Sequence, residues 1–382
     1  MNKVGDLHKC LLLIAVGWGT SWVFSSPALA QSMPVGLSLT WQVVGQAKLD
    51  AANVLGNDAC KKCHEAEVNA WLKSKHATTS FAMLTTSPKA KEFADKLKIP
   101  AGDIATGKAI CTECHGTRQG AAGNIQMLSG NSCESCHGAS GPQAGGWFAL
   151  HSDFGGEGVK RDAETADHYQ ARLASCDKAG MNRGENIYDL AKNCYSCHTV
   201  TNEDLVDVAG HPAGNPTFEF LAFSRGEVRH NFQQDQKKNA LAPTLWTDPL
   251  HHAGRTAEGR ARVKYVVGQM VDLEVSLQKR AGAEGKGNYA KAAGTRITAA
   301  KKKLEAVQKQ VAIPEVQEAL DALKPITTIK LLIIKPEDKP LFDKASQAVA
   351  AAAQKFSTGN DGSKLAALDS LLPKDVKGTP AE

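Results

Sequence analysis

The chain has 382 residues, 42% hydrophobic and 22% charged, which excludes a disordered or fibrous protein and leaves room for about two to three domains. Aromatic residues contribute only 6%, thin for a core of this size. The formal net charge of +5 is not gathered into a basic patch, so nucleic acid is not an expected partner.

The N-terminus reads as a secretory signal over residues 1–30. Lys3 and Lys9 precede a mostly apolar stretch from Cys10 to Phe24, and Ala28-Leu29-Ala30 offers a cleavage site before Gln31. That stretch is short for a span and contains Gly17 and Gly19. The mature chain is expected to be exported, periplasmic and soluble, reaching a membrane only through a partner.

Four pentapeptides follow: Cys60-Lys61-Lys62-Cys63-His64, Cys111-Thr112-Glu113-Cys114-His115, Cys133-Glu134-Ser135-Cys136-His137 and Cys194-Tyr195-Ser196-Cys197-His198. Between the first two, Glu65 to His76 lacks Gly and Pro and predicts one helix. After the third, Gly138, Gly141, Gly145 and Gly146 lead through Trp147 to His151; such glycines let backbone pass close to a flat ring. His168 lies in a polar segment and reads as surface. Cys176 is a lone thiol, read as a buried small residue. Beyond the fourth motif come His211 in a loop, Phe218-Glu219-Phe220, His230, and the adjacent His251 and His252.

The repeats decide the chemistry. Two thiols separated by two residues add across the vinyl groups on one edge of a haem, and the next residue, histidine, then lies under the iron. A zinc ribbon shares one metal between two Cys-x-x-Cys pairs and has no need of the histidine. A disulfide framework, the ordinary reading of an exported cysteine-rich chain, does not explain it either. Four covalently bound haem c groups are therefore expected, on Cys60, Cys63, Cys111, Cys114, Cys133, Cys136, Cys194 and Cys197, with His64, His115, His137 and His198 as proximal ligands. Each ferric haem with two imidazoles adds about one negative charge, which brings the net charge of the loaded protein near zero. The second and third motifs start 22 residues apart, against 51 and 61 for the other intervals, so haems two and three should be close.

The sixth position of each iron needs another ligand in a pure electron carrier. Candidates are His76, His151, His211 and His230; His251 and His252 read as surface near a domain boundary. On a continuous helix His76 would lie about 18 Å from His64, whereas two nitrogens on one iron are only about 4 Å apart. His76 should therefore serve a haem other than the first. Either His211 or His230 could serve haem four.

These features resemble the cytochrome c-554 family, tetrahaem carriers that accept electrons from hydroxylamine oxidoreductase. The likeness covers roughly 57–232 and rests on linked features. Trp71 and His76-Ala77 follow the first motif; Cys133 to Gly138 leads to a histidine about a dozen residues on; and Phe218-Glu219-Phe220 precedes another histidine. The resemblance implies a mainly helical fold around packed haem pairs, with His151 on the first haem, His76 on the third, His230 on the fourth, and no protein ligand at the sixth position of the second. His211 has no counterpart in that pattern; it fills the second vacancy or competes with His230.

From about Gly254 onward the chain has no Cys and no His. Arg262 to Lys279 reads as an amphipathic helix; Ile297, Leu304, Val307 and Val311 mark another with Lys301 to Lys303 on its exposed side; and Ala345 to Lys355 marks a third. Ile326 to Ile334 is an apolar run short enough for a strand. The expected fold class is mainly α: a tetrahaem cytochrome domain with little β structure at 31–253, then a C-terminal helical hairpin or bundle at 254–382.

The leading expectation is electron transfer between redox protein partners, with no catalytic residues. Two alternatives stand beside it. One is a haem enzyme acting on nitric oxide or another small nitrogen species at a five-coordinate iron. The other is a haem subunit of a larger respiratory complex, which the extra C-terminal helices motivate.

Overall fold

The computed structural model describes residues 49–225 and 256–377, save 122, 142–145, 161–162 and 376. The signal segment, His230, His251 and His252 lie outside the described residues. The fold is mainly helical, as expected, with one two-stranded antiparallel sheet among the described residues.

The motif-bearing part is built from short helices: α1 (Asn57–Lys61), α2 (Glu65–Leu72), α3 (Lys75–Thr78), α4 (Ala82–Thr86), α5 (Pro88–Lys96), α6 (Ala101–Ala105) and α7 (Thr112–His115). Strands β1 (Thr117–Gln119) and β2 (Gln126–Ser129) form a hairpin between the second and third motifs, with Arg118 opposite Met127. Then come α8 (Cys133–His137), α9 (Phe148–His151), α10 (Ala166–Lys178), α11 (Ile187–His198), α12 (Glu203–Asp207) and α13 (Phe220–Ser224). The second, third and fourth motifs each end a helix at their histidine.

The single helix expected over 65–76 is two. Ser74 adopts extended backbone and its hydroxyl accepts from the Ala77 amide, capping α3 and starting a new axis. Trp71 Nε1 donates to the Asn131 carbonyl at 2.7 Å, tying the end of α2 to the loop before the third motif.

The C-terminal part contains α14 (Ala257–Gly282), α15 (Asn288–Gln310), α16 (Pro314–Asp321) and α17 (Lys339–Gly359). Helix α14 is not amphipathic. It is sandwiched between α11, α15 and α17, so Val263, Val266, Met270, Leu273 and Leu277 are buried, and so are Gln269, Asp272, Glu274, Lys279 and Arg280. Ile326 to Ile334 forms no strand; a 3-10 turn at Lys324–Ile326 runs into further turns, and among the described residues the run has no neighbouring strand to pair with.

One hydrophobic cluster spans both sides of the composition change near residue 254. It joins Ile187, Tyr188, Ala191, Tyr195, Phe218, Phe220 and Leu221 to Val266, Met270, Leu304, Phe342 and Phe356. Helix α11, whose last turn is the fourth motif, is also held by polar contacts. Tyr188 Oη donates to Glu274 Oε2 at 2.9 Å, and Lys192 pairs with Glu274 Oε1 at 2.8 Å.

Candidate haem-binding site

The motifs are stitched together by side chains inside and beside them. Glu134, within the third motif, is 1% exposed, and its carboxylate accepts from the amides of Leu55, Gly56 and Ser140 at 2.8–3.0 Å and from the Ser140 hydroxyl at 2.5 Å. It joins the chain just before the first motif to the chain just after the third. Asn57 Oδ1 accepts from the Cys133 amide at 3.3 Å and the Cys133 thiol at 3.1 Å. Thr117 Oγ1 lies 2.5 Å from Ser135 Oγ, and Asn131 Nδ2 donates to the Cys114 carbonyl at 2.7 Å, linking motifs two and three. Asn193 Nδ2 donates to the Ser135 carbonyl at 3.0 Å, linking three and four.

Thiols from different motifs meet as well. Cys60 and Cys133 act on each other, as do Cys114 and Cys197: the neighbouring thiol pushes Cys60 and Cys114 up and is itself held down. The thiols of motifs one and three, and of two and four, therefore adjoin. Among the described residues no three His, Cys, Asp or Glu side chains converge as a metal-ion cluster.

The histidines come together in pairs. His64 and His151 have ring centres 6.0 Å apart with planes 22° from parallel. His76 and His198 are 6.1 Å apart at 87°, and His115 and His211 are 6.3 Å apart at 72°. Two imidazoles on one metal, with about 2 Å per metal–nitrogen bond, hold their ring centres about 6 Å apart. The resemblance implied His76 opposite the third motif; here it lies beside His198 of the fourth. The break at Ser74 turns α3, and Gly130 admits it: a Cβ there would sit 1.9 Å from the His76 carbonyl oxygen.

Several rings are oriented by backbone carbonyls through Nδ1: His115 on Ser80 at 3.1 Å, His137 on Asn182 at 2.7 Å and His211 on Pro212 at 2.7 Å. A ring that donates Nδ1–H to a carbonyl keeps its lone pair on Nε2, the form a metal ligand takes. Burial holds His115 and His137 below the ordinary imidazole range and, with the charge of His76, lowers His198 to about 4. Neutral imidazole is the ligating state.

The remaining candidates fall elsewhere. His168, read as surface, contacts Glu164 Oε1 at 2.7 Å, and Glu164 in turn pairs with Arg172 at 2.5 Å. Cys176 is fully buried. Of the glycines after the third motif, Gly138 lies against the Trp147 indole, whose Nε1 would be 3.6 Å from a Cβ at that position. Gly138 has φ +88°, and a Cβ there would sit 2.3 Å from the Gly180 carbonyl oxygen, so it serves a backbone crossing.

The residues fit haem c. Each motif supplies two thiols and a histidine, three of these histidines face a second imidazole at ligating separation, and Trp147 Nε1, beside His151, is buried with no hydrogen-bond partner among the described residues. A carboxylate-bearing ligand would give that indole an acceptor. Sequence reasoning missed Ser80 and Asn182, whose carbonyls carry no sequence signal. It also missed Glu134, for which an acidic residue inside a motif was the available clue.

Comparison with known proteins came to the same segment. Residues 59–138 match the family described as cytochrome c554 and c-prime. A stretch of 102 residues is 35% identical to cytochrome c-554 of Nitrosomonas europaea, covering 25% of this chain and 42% of that protein. The chain thus spans less than half the length of this curated relative. No solved structure matches.

Proposed function

The segment 59–138 belongs to the cytochrome c-554 family, and from that premise we propose that the chain is an exported tetrahaem c-type cytochrome that carries electrons between redox protein partners. The observation that carries this reading is the set of three histidine pairs at 6.0–6.3 Å, each containing one motif histidine.

When bound, haem c supplies a one-electron iron couple. Cys60 and Cys63, Cys111 and Cys114, Cys133 and Cys136, and Cys194 and Cys197 would anchor the four groups. The proposed axial pairs are His64 with His151, His115 with His211, and His198 with His76. His230, which the resemblance gives to the fourth haem, stays in the ligand set and lies outside the described residues. Two imidazoles close an iron to substrate and favour electron transfer over ligand chemistry. The carbonyls of Ser80, Asn182 and Pro212 fix the tautomers of His115, His137 and His211 and would hold these rings in place against a bound iron. The adjoining thiols of motifs one and three, and of two and four, support two close haem pairs, the proximity that electron hopping needs.

Periplasmic location rests on the N-terminal signal and on the chemistry of haem attachment. No helix among the described residues is long and apolar enough to cross a membrane. A hydroxylamine oxidoreductase-like donor is the partner suggested by resemblance. The five-coordinate enzyme reading loses its main support once His211 faces His115.

Haem content tests the proposal. Intact mass of the denatured, exported protein should show four haems still attached, and replacing Cys111 and Cys114 with Ser should remove one. Fewer than four covalent haems would overturn it.

A further inference from the structure

The fourth-motif histidine is gripped by a loop, and the loop is gripped by a buried ion pair from the C-terminal helices. The Asn215 amide donates to the His198 carbonyl at 3.0 Å, and the Phe218 ring lies flat on the His198 ring, centres 4.2 Å apart and planes 8° from parallel. Phe218 also meets Tyr195, the second residue of the same motif, edge-on at 5.0 Å. Behind this loop stands Arg296 of α15. Its guanidinium donates to the carbonyls of Asn215 at 3.1 Å and Phe218 at 3.3 Å, and lies 5.4 Å over the Tyr195 ring. Its other edge forms a two-bond fork with Asp272 of α14, at 2.6 and 2.8 Å. Arg296 is 7% exposed and Asp272 5%.

A buried ion pair contributes little net stability over apolar side chains of the same shape, so stability is a weak reason for this one. Its geometry has another use. The planar fork gives two donors to Asp272 and one to each of the two carbonyls that bracket the loop, so it sets where Phe218 sits and hence the plane of His198. Its charge is also close, since the guanidinium over Tyr195 and on the Phe218 carbonyl stands directly behind the residues that pack on His198. Neighbouring charges act on the pair itself: Lys303 on Asp272, and Lys279 through its repulsion with Arg296. Glu219, hydrogen bonded to Gln269 at 3.2 Å, is a further acid beside Asp272.

We infer that Arg296 and Asp272 are positioning residues for the fourth haem, fixing the plane of its proximal histidine and the charge felt by its iron. This rests on the reading of His198 as an axial ligand, and gives the C-terminal helices a part in the redox site that the family resemblance does not reach.

The test is a redox titration of the holoprotein followed by EPR. Asp272→Asn keeps the shape but leaves the guanidinium charge uncompensated. One of the four midpoint potentials should move upward, because nearby positive charge favours the reduced iron, and the other three should stay. Phe218→Leu leaves the ion pair whole and should shift the g values of that same haem's low-spin signal. Unchanged potentials in Asp272→Asn, or several moving together, would overturn the inference. The axial reading is checked separately in the otherwise unsubstituted protein. If His198→Ala leaves every low-spin signal in place, the axial reading fails, and this inference with it.

Discussion

Lys279 shows how a residue can hide its role in sequence. It falls in a basic run that looks solvated, yet it is fully buried on α14, where its ammonium donates to the Thr199 carbonyl and lies 4.7 Å over the Tyr289 ring. Burial, helped by the charge of Arg296, lowers its pKa from 10.5 to about 7. The folded state therefore binds this proton less readily than the unfolded chain. Its contribution becomes more favourable as pH rises from about 7 towards the unfolded value near 10.5, and is least favourable below 7. Lys279→Met should flatten the rise in stability between pH 7 and 10, measured by denaturant melts; an unchanged slope would show that Lys279 does not titrate in that window.

At this same scale, the Cys-x-x-Cys-His motifs stand out in sequence because their spacing is fixed and local. His211, His151 and His76 could be nominated from the sequence, but their partners could not. Which imidazole faces which depends on helix breaks such as Ser74 and on close approaches such as Gly130 against His76, neither of which a periodicity shows.

Among the elements, the short helices around the motifs have few apolar residues of their own and depend on specific polar ties. Glu134 is the densest of these, a buried carboxylate with four donors from two segments. Glu134→Ala would strand the buried donors, so we expect a loss of about 2–4 kcal/mol of unfolding free energy, seen as a lower denaturant midpoint at unchanged slope. A loss below about 0.5 kcal/mol would mean that water replaces the carboxylate. The C-terminal helices were legible as helices, and α14 was misread only in its environment. Its polar residues suggested a wet face, but Glu274 is matched by Tyr188 and Lys192, and Asp272 by Arg296. Paired burial leaves the same sequence pattern as exposure.

For the whole molecule, the change in composition near residue 254 marks where Cys and His stop, while the hydrophobic cluster continues through it from Tyr195 and Phe218 into α14, α15 and α17. The mainly helical class was legible because the apolar spacing is helical almost throughout; the shared core was not, because it joins helices far apart in sequence.

The central claim is a set of closed, bis-histidine irons. The most direct test is low-temperature EPR of the ferric holoprotein, repeated with nitric oxide after reduction. The near-parallel His64–His151 rings should give a rhombic low-spin signal, and the near-perpendicular His76–His198 and His115–His211 pairs large-g-maximum signals, with no nitric oxide adduct. A high-spin iron that binds nitric oxide and is unaffected by His211→Ala would contradict the account, leaving the second haem open and the enzyme reading in force.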